Sequence, residues 1–261
     1  MTAAAFLALT EWHLGEVERA RQNIERAIQR ADETADAASI GTALFFRTVL
    51  ESRRDDVSAT RLAADALLGL SEQYGMKTYS DQGKVYANWA RGRLLDPHFG
   101  ANEIEQALTA YIAEGNRADA PSLYGLHAEL EASELRLDSS LALIDRGLAI
   151  ADETGEHFTD PYLHRLRGEL LLKRNPSEPA PVEEAFKAAV AVARVQGARS
   201  YQLLASLPLA RLYQSTGRHI EAHAVLAPAL EGFSPTPEMS EIAEAQALLV
   251  AIEAGAHVRH E

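Results

Sequence analysis

Ile28, Leu68, Leu108 and Leu148 stand 40 residues apart, and after a two-residue slip Val190 and Leu230 continue the series. Three further columns keep the same phase: Ile24, Ala64, Ile104, Ile144, Phe186, Leu226; Phe6, Phe46, Tyr86, Leu126, Leu166, Pro208; and the small column Ala8, Thr48, Asn88, Ala128, Gly168, Ala210. A fixed period of this size marks stacked supersecondary units, none of which can bury its apolar face alone. Such a chain is a scaffold, and scaffolds of this kind bind more often than they catalyse.

Each unit reads as two antiparallel helices. In the first, Phe6, Leu7 and Thr10 share one side of a helix from Ala3 to Leu14, and Gly15 breaks it. Val17, Ala20, Ile24, Ala27, Ile28 and Ala31 then mark the inner stripe of a second helix, at spacings of three and four. Second helices are expected to stop at Ala35, Gly75, Gly115, Gly155, Gly197 and Gly232, because glycine closes a last turn in the left-handed region without a Cβ clash. Asp119, Asp160 and Ser200 are the expected N-caps, with Pro121 and Pro161 in the first turns.

The fold expected is all-α: a right-handed α-solenoid of about six repeats, at 1–35, 36–75, 76–116, 117–156, 157–197 and 198–233. A capping helix at 238–254 would carry Ile242, Ala245, Leu249 and Ile252 over the open end, and 255–261 would be a disordered tail. The Pro-rich stretch from Lys173 to Pro181 is the expected mobile loop. Met1 falls almost inside the first helix with no cap before it, so either the stack ends bare there or further chain or a partner precedes it.

Composition narrows the function. The chain has no cysteine, which removes disulfides, thiolate metal sites and cysteine nucleophiles, and fits a reducing, cytoplasmic setting. A formal net charge of -13 argues against nucleic acid, whose phosphates need clustered Lys and Arg. No apolar run approaches the length of a membrane span, and no basic flank precedes the apolar N-terminus as a signal peptide requires.

The first and last units carry the tetratricopeptide pattern. Leu7, Ala8, Gly15, Ala20, Ile24 and Ala27 match Leu209, Ala210, Gly217, Ala222, Leu226 and Ala229 at a constant offset. The middle units keep the phase but place Asp55, Leu95 and Leu135 near the turn where glycine would stand. Stretches from Tyr162 to Leu172, from Phe186 to Ser200 and from Leu207 to Tyr213, with Leu226-Ala-Pro228, resemble the C-terminal repeat regions of large bacterial class III adenylate/guanylate cyclases and related signalling ATPases. In that group the catalytic modules precede the repeats. The resemblance implies a non-catalytic, regulatory repeat module that binds a protein segment or its parent's own catalytic modules.

Motifs for independent chemistry are weak. Ser80-Asp81-Gln82-Gly83-Lys84 lacks the first glycine and the hydroxyl of a phosphate loop. His219 and His223 stand at i and i+4, but no third ligand is near, and surface histidines at a helix start explain them better. No catalytic set and no cofactor is expected.

Binding candidates come from the first helices of each unit, which line the concave face in tetratricopeptide stacks. The column from Leu9 runs through Trp89, Glu129, Glu169 and Arg211, and that from His13 through Arg53, Arg93, Ser133 and Lys173. Arg165 falls in the column that starts at Ala5. Arg53 and Arg93 can grip an acidic peptide or a carboxyl terminus; cations in a last helical turn also favour the helix dipole without any ligand. Trp12 and Trp89 are either peptide anchors or core. The expected function is protein–protein interaction, with a small-molecule sensor holding its ligand in the groove as the alternative.

Overall fold

A computed structural model describes residues 2–34 and 36–257, with side chains over 3–34 and 36–254. Among them are thirteen helices and no strand beyond one isolated bridge between Thr236 and Met239. In chain order the helices are α1 (Thr2–His13), α2 (Val17–Thr34), α3 (Ala37–Arg53), α4 (Val57–Tyr74), α5 (Lys77–Leu94), α6 (Pro97–Ala113) and α7 (Ala120–Ser133). There follow α8 (Leu137–Thr154), α9 (Asp160–Arg174), α10 (Pro179–Gln196), α11 (Arg199–Ser215), α12 (His219–Leu230) and α13 (Glu241–His257).

The chain divides into two compact units. Unit 1 gathers the residues up to Trp12 with Glu18–His157, and unit 2 gathers His13–Val17 with the residues from Phe158 onward. The division falls between the fourth and fifth expected repeats. In unit 1, α3 packs on α4, α4 on α5, α5 on α6, α6 on α7 and α7 on α8; α5 also touches α3 and α7 directly. Unit 2 repeats the scheme, with α11 touching both α9 and α13. Within each unit the first helices of successive hairpins therefore touch one another directly, as the stacked hairpins of a helical-repeat fold do.

The column from Ile24 is the spine: all six members are 0% exposed. The small column from Ala8 is buried throughout. The column from Ile28 is only partly so, since Ile28, Leu68, Leu148 and Leu230 are half-buried. The stripe on α2 runs through Ala20, Ile24, Ala27 and Ala31, which places Ile28 on its flank. Phe6, Leu7 and Thr10, which share one side of α1, are all exposed, while Ala5, Ala8 and Trp12 are buried. Phe6 still reaches Phe46 of α3, with ring centroids 4.3 Å apart.

Small residues set how closely the helices approach. A Cβ at Gly100 of α6 would lie 2.7 Å from the Gly92 Cα and 2.8 Å from the Asn88 carbonyl oxygen of α5. Those are backbone atoms and cannot swing aside. Gly100→Ala is expected to cost ~1–3 kcal/mol, even though alanine is the better helix former by ~1 kcal/mol. Urea unfolding followed by tryptophan fluorescence checks this, and an unchanged midpoint would mean that α5 and α6 separate freely.

Helix ends differ from expectation in instructive places. Gly75, Gly155 and Gly197 close α4, α8 and α10 in the left-handed region. The stop expected at Ala35 lies outside the described residues. Thr159 and Ala198, not Asp160 and Ser200, occupy the N-cap positions of α9 and α11. Of the stretch from Lys173 to Pro181, expected as the mobile loop, only 175–178 lie outside the helices, in a turn where the Asn175 Oδ1 accepts from the Ser177 N–H and hydroxyl. The last helix starts at Glu241 rather than 238 and continues through 255–257; residues 258–261 of the expected tail lie outside the described residues.

Where the middle hairpins lack glycine, the backbone still asks for it. Gly15 and Gly217 have φ of 86° and 77°, and Asp55 and Leu135 take φ of 55° and 61° at the same station. A leucine there carries a Cβ clash of ~1–2 kcal/mol. Leu95 avoids it with φ of −129°.

Candidate functional site

The layer of α3, α5 and α7 carries two polar networks in unit 1. The first is built around Asp119, which precedes α7 with φ of 60°. It holds the expected N-cap position, but its side chain does not cap. Instead its Oδ2 accepts from the Tyr86 hydroxyl at 2.6 Å, and its own N–H donates to the Glu156 Oε1 at 2.8 Å. Beside it the Tyr111 hydroxyl donates to the Ala118 carbonyl at 2.7 Å, and the Gln82 amide reaches that hydroxyl at 3.3 Å.

Burial dominates the electrostatics here. It pushes the Asp119 carboxyl up to about 6, against the opposing pull of the Tyr86 hydroxyl and of the Arg53 charge. Glu156 is raised by burial too, and further by the neighbouring Asp119. The Tyr86 and Tyr111 hydroxyls are pushed well above their ordinary values, first by burial and then by Asp119. Arg53 therefore faces carboxylates of its own unit.

The second network joins α5 to α7 and to the α3–α4 turn. The Trp89 Nε1–H donates to the Glu129 Oε2 at 2.8 Å. Arg93 donates to both Asp55 carboxylate oxygens at 3.0 and 3.2 Å and to the Glu129 Oε2 at 3.3 Å. Its guanidinium carbon lies 5.2 Å from the centre of the Trp89 ring, a cation–π contact. Trp89 and Trp12 are each 1% exposed, so both are core side chains rather than open anchors. Their spacing put them in the groove columns, but bulk apolar rings near a hairpin crossing are drawn inward.

In unit 2, the His13 ring lies 5.3 Å from Tyr201 and 6.3 Å from Phe158. Arg165 pairs with Glu169 one turn along α9, and Arg211 pairs with Glu244 of α13 at 2.6 Å. Lys173 is exposed in the last turn of α9. Glu129 and Glu169 each have a cationic partner in their own unit, Arg93 and Arg165. His223 lies 3.6 Å from Glu253. Among the described residues no group of three or more side chains is placed to hold a metal ion, and no helix is long and apolar enough to cross a membrane.

A third set of charges went unread in the sequence. Glu11, Glu51 and Glu131 occupy one column of the repeat, and all three are buried. Glu11 binds Arg19 at 3.0 Å and Asn23 at 2.6 Å. Glu51 binds Arg21 and Arg54, with Arg47 at 3.8 Å. Glu131 takes Arg136 in a fork at 2.6 and 2.7 Å, which holds its carboxyl below the usual range. At the station between, Arg91 reverses the sign and pairs with Asp65 of α4 at 2.7 Å. The repeat spacing was the signal that could have found them.

No family model matches the chain. A protein of Rhizobium meliloti (strain 1021), named Uncharacterized protein R02095, is 24% identical over 192 residues, which is 74% of this chain and 19% of that protein. The chain thus spans about a fifth of the length of this relative. The solved apo form of RapI is similar in fold, with a TM-score of 0.59 at 11% identity over 95% of this chain and 83% of that one. At that identity the likeness speaks for the fold alone, and it agrees with the packing of successive helices: the chain is an all-α helical-repeat protein.

Proposed function

We propose that the chain is a non-catalytic interaction module of a larger bacterial signalling protein, of the cyclase or ATPase type, working in the cytoplasm. It holds an acidic protein segment, from a partner or from its parent's catalytic modules, along the face of α3, α5 and α7. The length of the Rhizobium meliloti relative supports a module within a longer chain.

The observation that carries the reading is the setting of Arg93. Its guanidinium is oriented over Trp89 by Asp55 and Glu129, so its fork is already arranged for a carboxylate. The Asp55 side chain is 61% exposed, and an ion pair of that kind contributes only ~0–1 kcal/mol. A partner carboxylate can take the place of Asp55 at little cost. Titration with a glutamate-rich peptide tests the exchange: Asp55→Ala is expected to tighten binding several-fold, and Arg93→Glu to abolish it. If neither substitution changes the affinity, or the peptide does not bind, the reading fails.

A further inference from the structure

We propose that the α5–α6 and α7–α8 turns of unit 1 form a second docking edge, which receives an amphipathic helix with basic flanks from a protein partner. The inference rests on the reading of the chain as an interaction module, but it concerns another surface and another class of segment.

Two observations converge on Leu135. It is 79% exposed, and it holds a positive φ at a station where other hairpins of this chain use Gly15 and Gly217. A large apolar side chain is thus kept in water and in an unfavourable backbone conformation at once. Departures of that kind concentrate where a side chain serves something outside the fold.

Leu135 is also not alone. The preceding hairpin turns at Leu94 and Leu95, the latter 75% exposed, and Phe99 is exposed in the first turn of α6. His98 brings the turns side by side: its Nδ1 is 3.5 Å from the Arg136 Nη1 and 3.8 Å from the Glu134 Oε2. Four large apolar side chains therefore share one edge, and isolated exposed leucines do not make such a patch.

Charge selects the occupant. Arg136, a cation at this edge, is forked onto the buried Glu131, and its Nη1 also lies 3.4 Å from the Glu134 Oε2. Beside the leucines stand Asp96, Glu134 and Asp138, and the Asp96 Oδ1 accepts from the Phe99 N–H, which caps α6. An apolar patch rimmed by carboxylates suits a helix with leucines on one face and Lys or Arg beside them. The same rim repels an anionic bilayer.

The probe is a synthetic Leu/Lys peptide patterned as a one-faced helix, titrated into the full chain with leucine methyl groups followed by NMR. Shifts are expected at Leu94, Leu95 and Leu135. A shuffled peptide of the same composition should bind about tenfold more weakly or worse, as should the Leu95→Ser and Leu135→Gly variants. Leu135→Gly suits its backbone, so a folding defect does not confound it. Leu135→Gly should leave binding of the glutamate-rich peptide unchanged, which separates failure here from failure of the inner-face reading. Equal binding of the shuffled peptide, or variants that bind like the parent, overturns the proposal. So do attachment to anionic vesicles in preference to the peptide, and a self-associating chain that Leu135→Gly returns to monomer.

Discussion

Glu51→Ala is expected to destabilise unit 1 by ~3–5 kcal/mol. The Glu51 side chain is 0% exposed, and its two oxygens take Arg21 from α2 and Arg54 from the end of α3, with Arg47 close by. Deleting the carboxylate leaves cations gathered around an apolar methyl, and Arg54 is itself almost buried. The loss comes from cations stranded without their counter-charge, not from the pair's own net worth. A triple replacement of Glu51, Arg21 and Arg54 by apolar residues of similar volume should therefore recover most of the stability. Both tryptophans of the chain, Trp12 and Trp89, belong to unit 1, so intrinsic fluorescence during urea unfolding reports that unit. A single substitution that costs under ~1 kcal/mol would show that water reaches this cluster and that the site is not closed.

That column also shows how far the sequence could be read. Hydrophobic period is a property of one helix face, so the buried series from Ile24 and the small series from Ala8 were legible without any contact map. Helix closure at Gly75, Gly155 and Gly197 was legible for the same reason, since a positive φ leaves a mark at a single position. What the repeat did not yield was the direction of long polar side chains. Arg93 stands in a column that points toward the groove, yet its charge is spent on Asp55, 38 residues before it, and on Glu129, 36 after. Asp119 stands two residues before Pro121 and reads as an ordinary cap; only its left-handed φ turns the carboxylate toward Tyr86 instead. Exposure at turns was equally hidden, because Leu95 and Leu135 look like core residues until the hairpins are assembled.

Asp119→Asn is expected to raise the stability of unit 1 at pH 7.5 by on the order of 1–3 kcal/mol. Burial lifts the folded carboxyl from 3.8 to about 6, so the folded protein holds a proton there more tightly than the unfolded chain does. Above about pH 6 the folded state carries a buried charge that the unfolded chain solvates freely. As pH falls from about 6 toward 3.8 the folded carboxyl is protonated first, and this residue's contribution to stability rises. Asparagine keeps an acceptor for the Tyr86 hydroxyl, carries no charge, and tolerates a φ of 60° well. Buried His127 acts in the opposite sense, since its lowered value costs stability as pH falls below 6.5. Because His127 is present in both proteins, the informative quantity is the difference between variant and parent. Glu156 adds to that difference: losing the Asp119 charge relieves one cause of its own raised value. The lead of the variant at pH 7.5 should therefore shrink steadily and nearly vanish by pH 4, read from fluorescence-monitored urea midpoints. A lead that is independent of pH would mean that the Arg53 charge already neutralises Asp119, and that α3 and α7 are held together by an ion pair rather than by a shared proton.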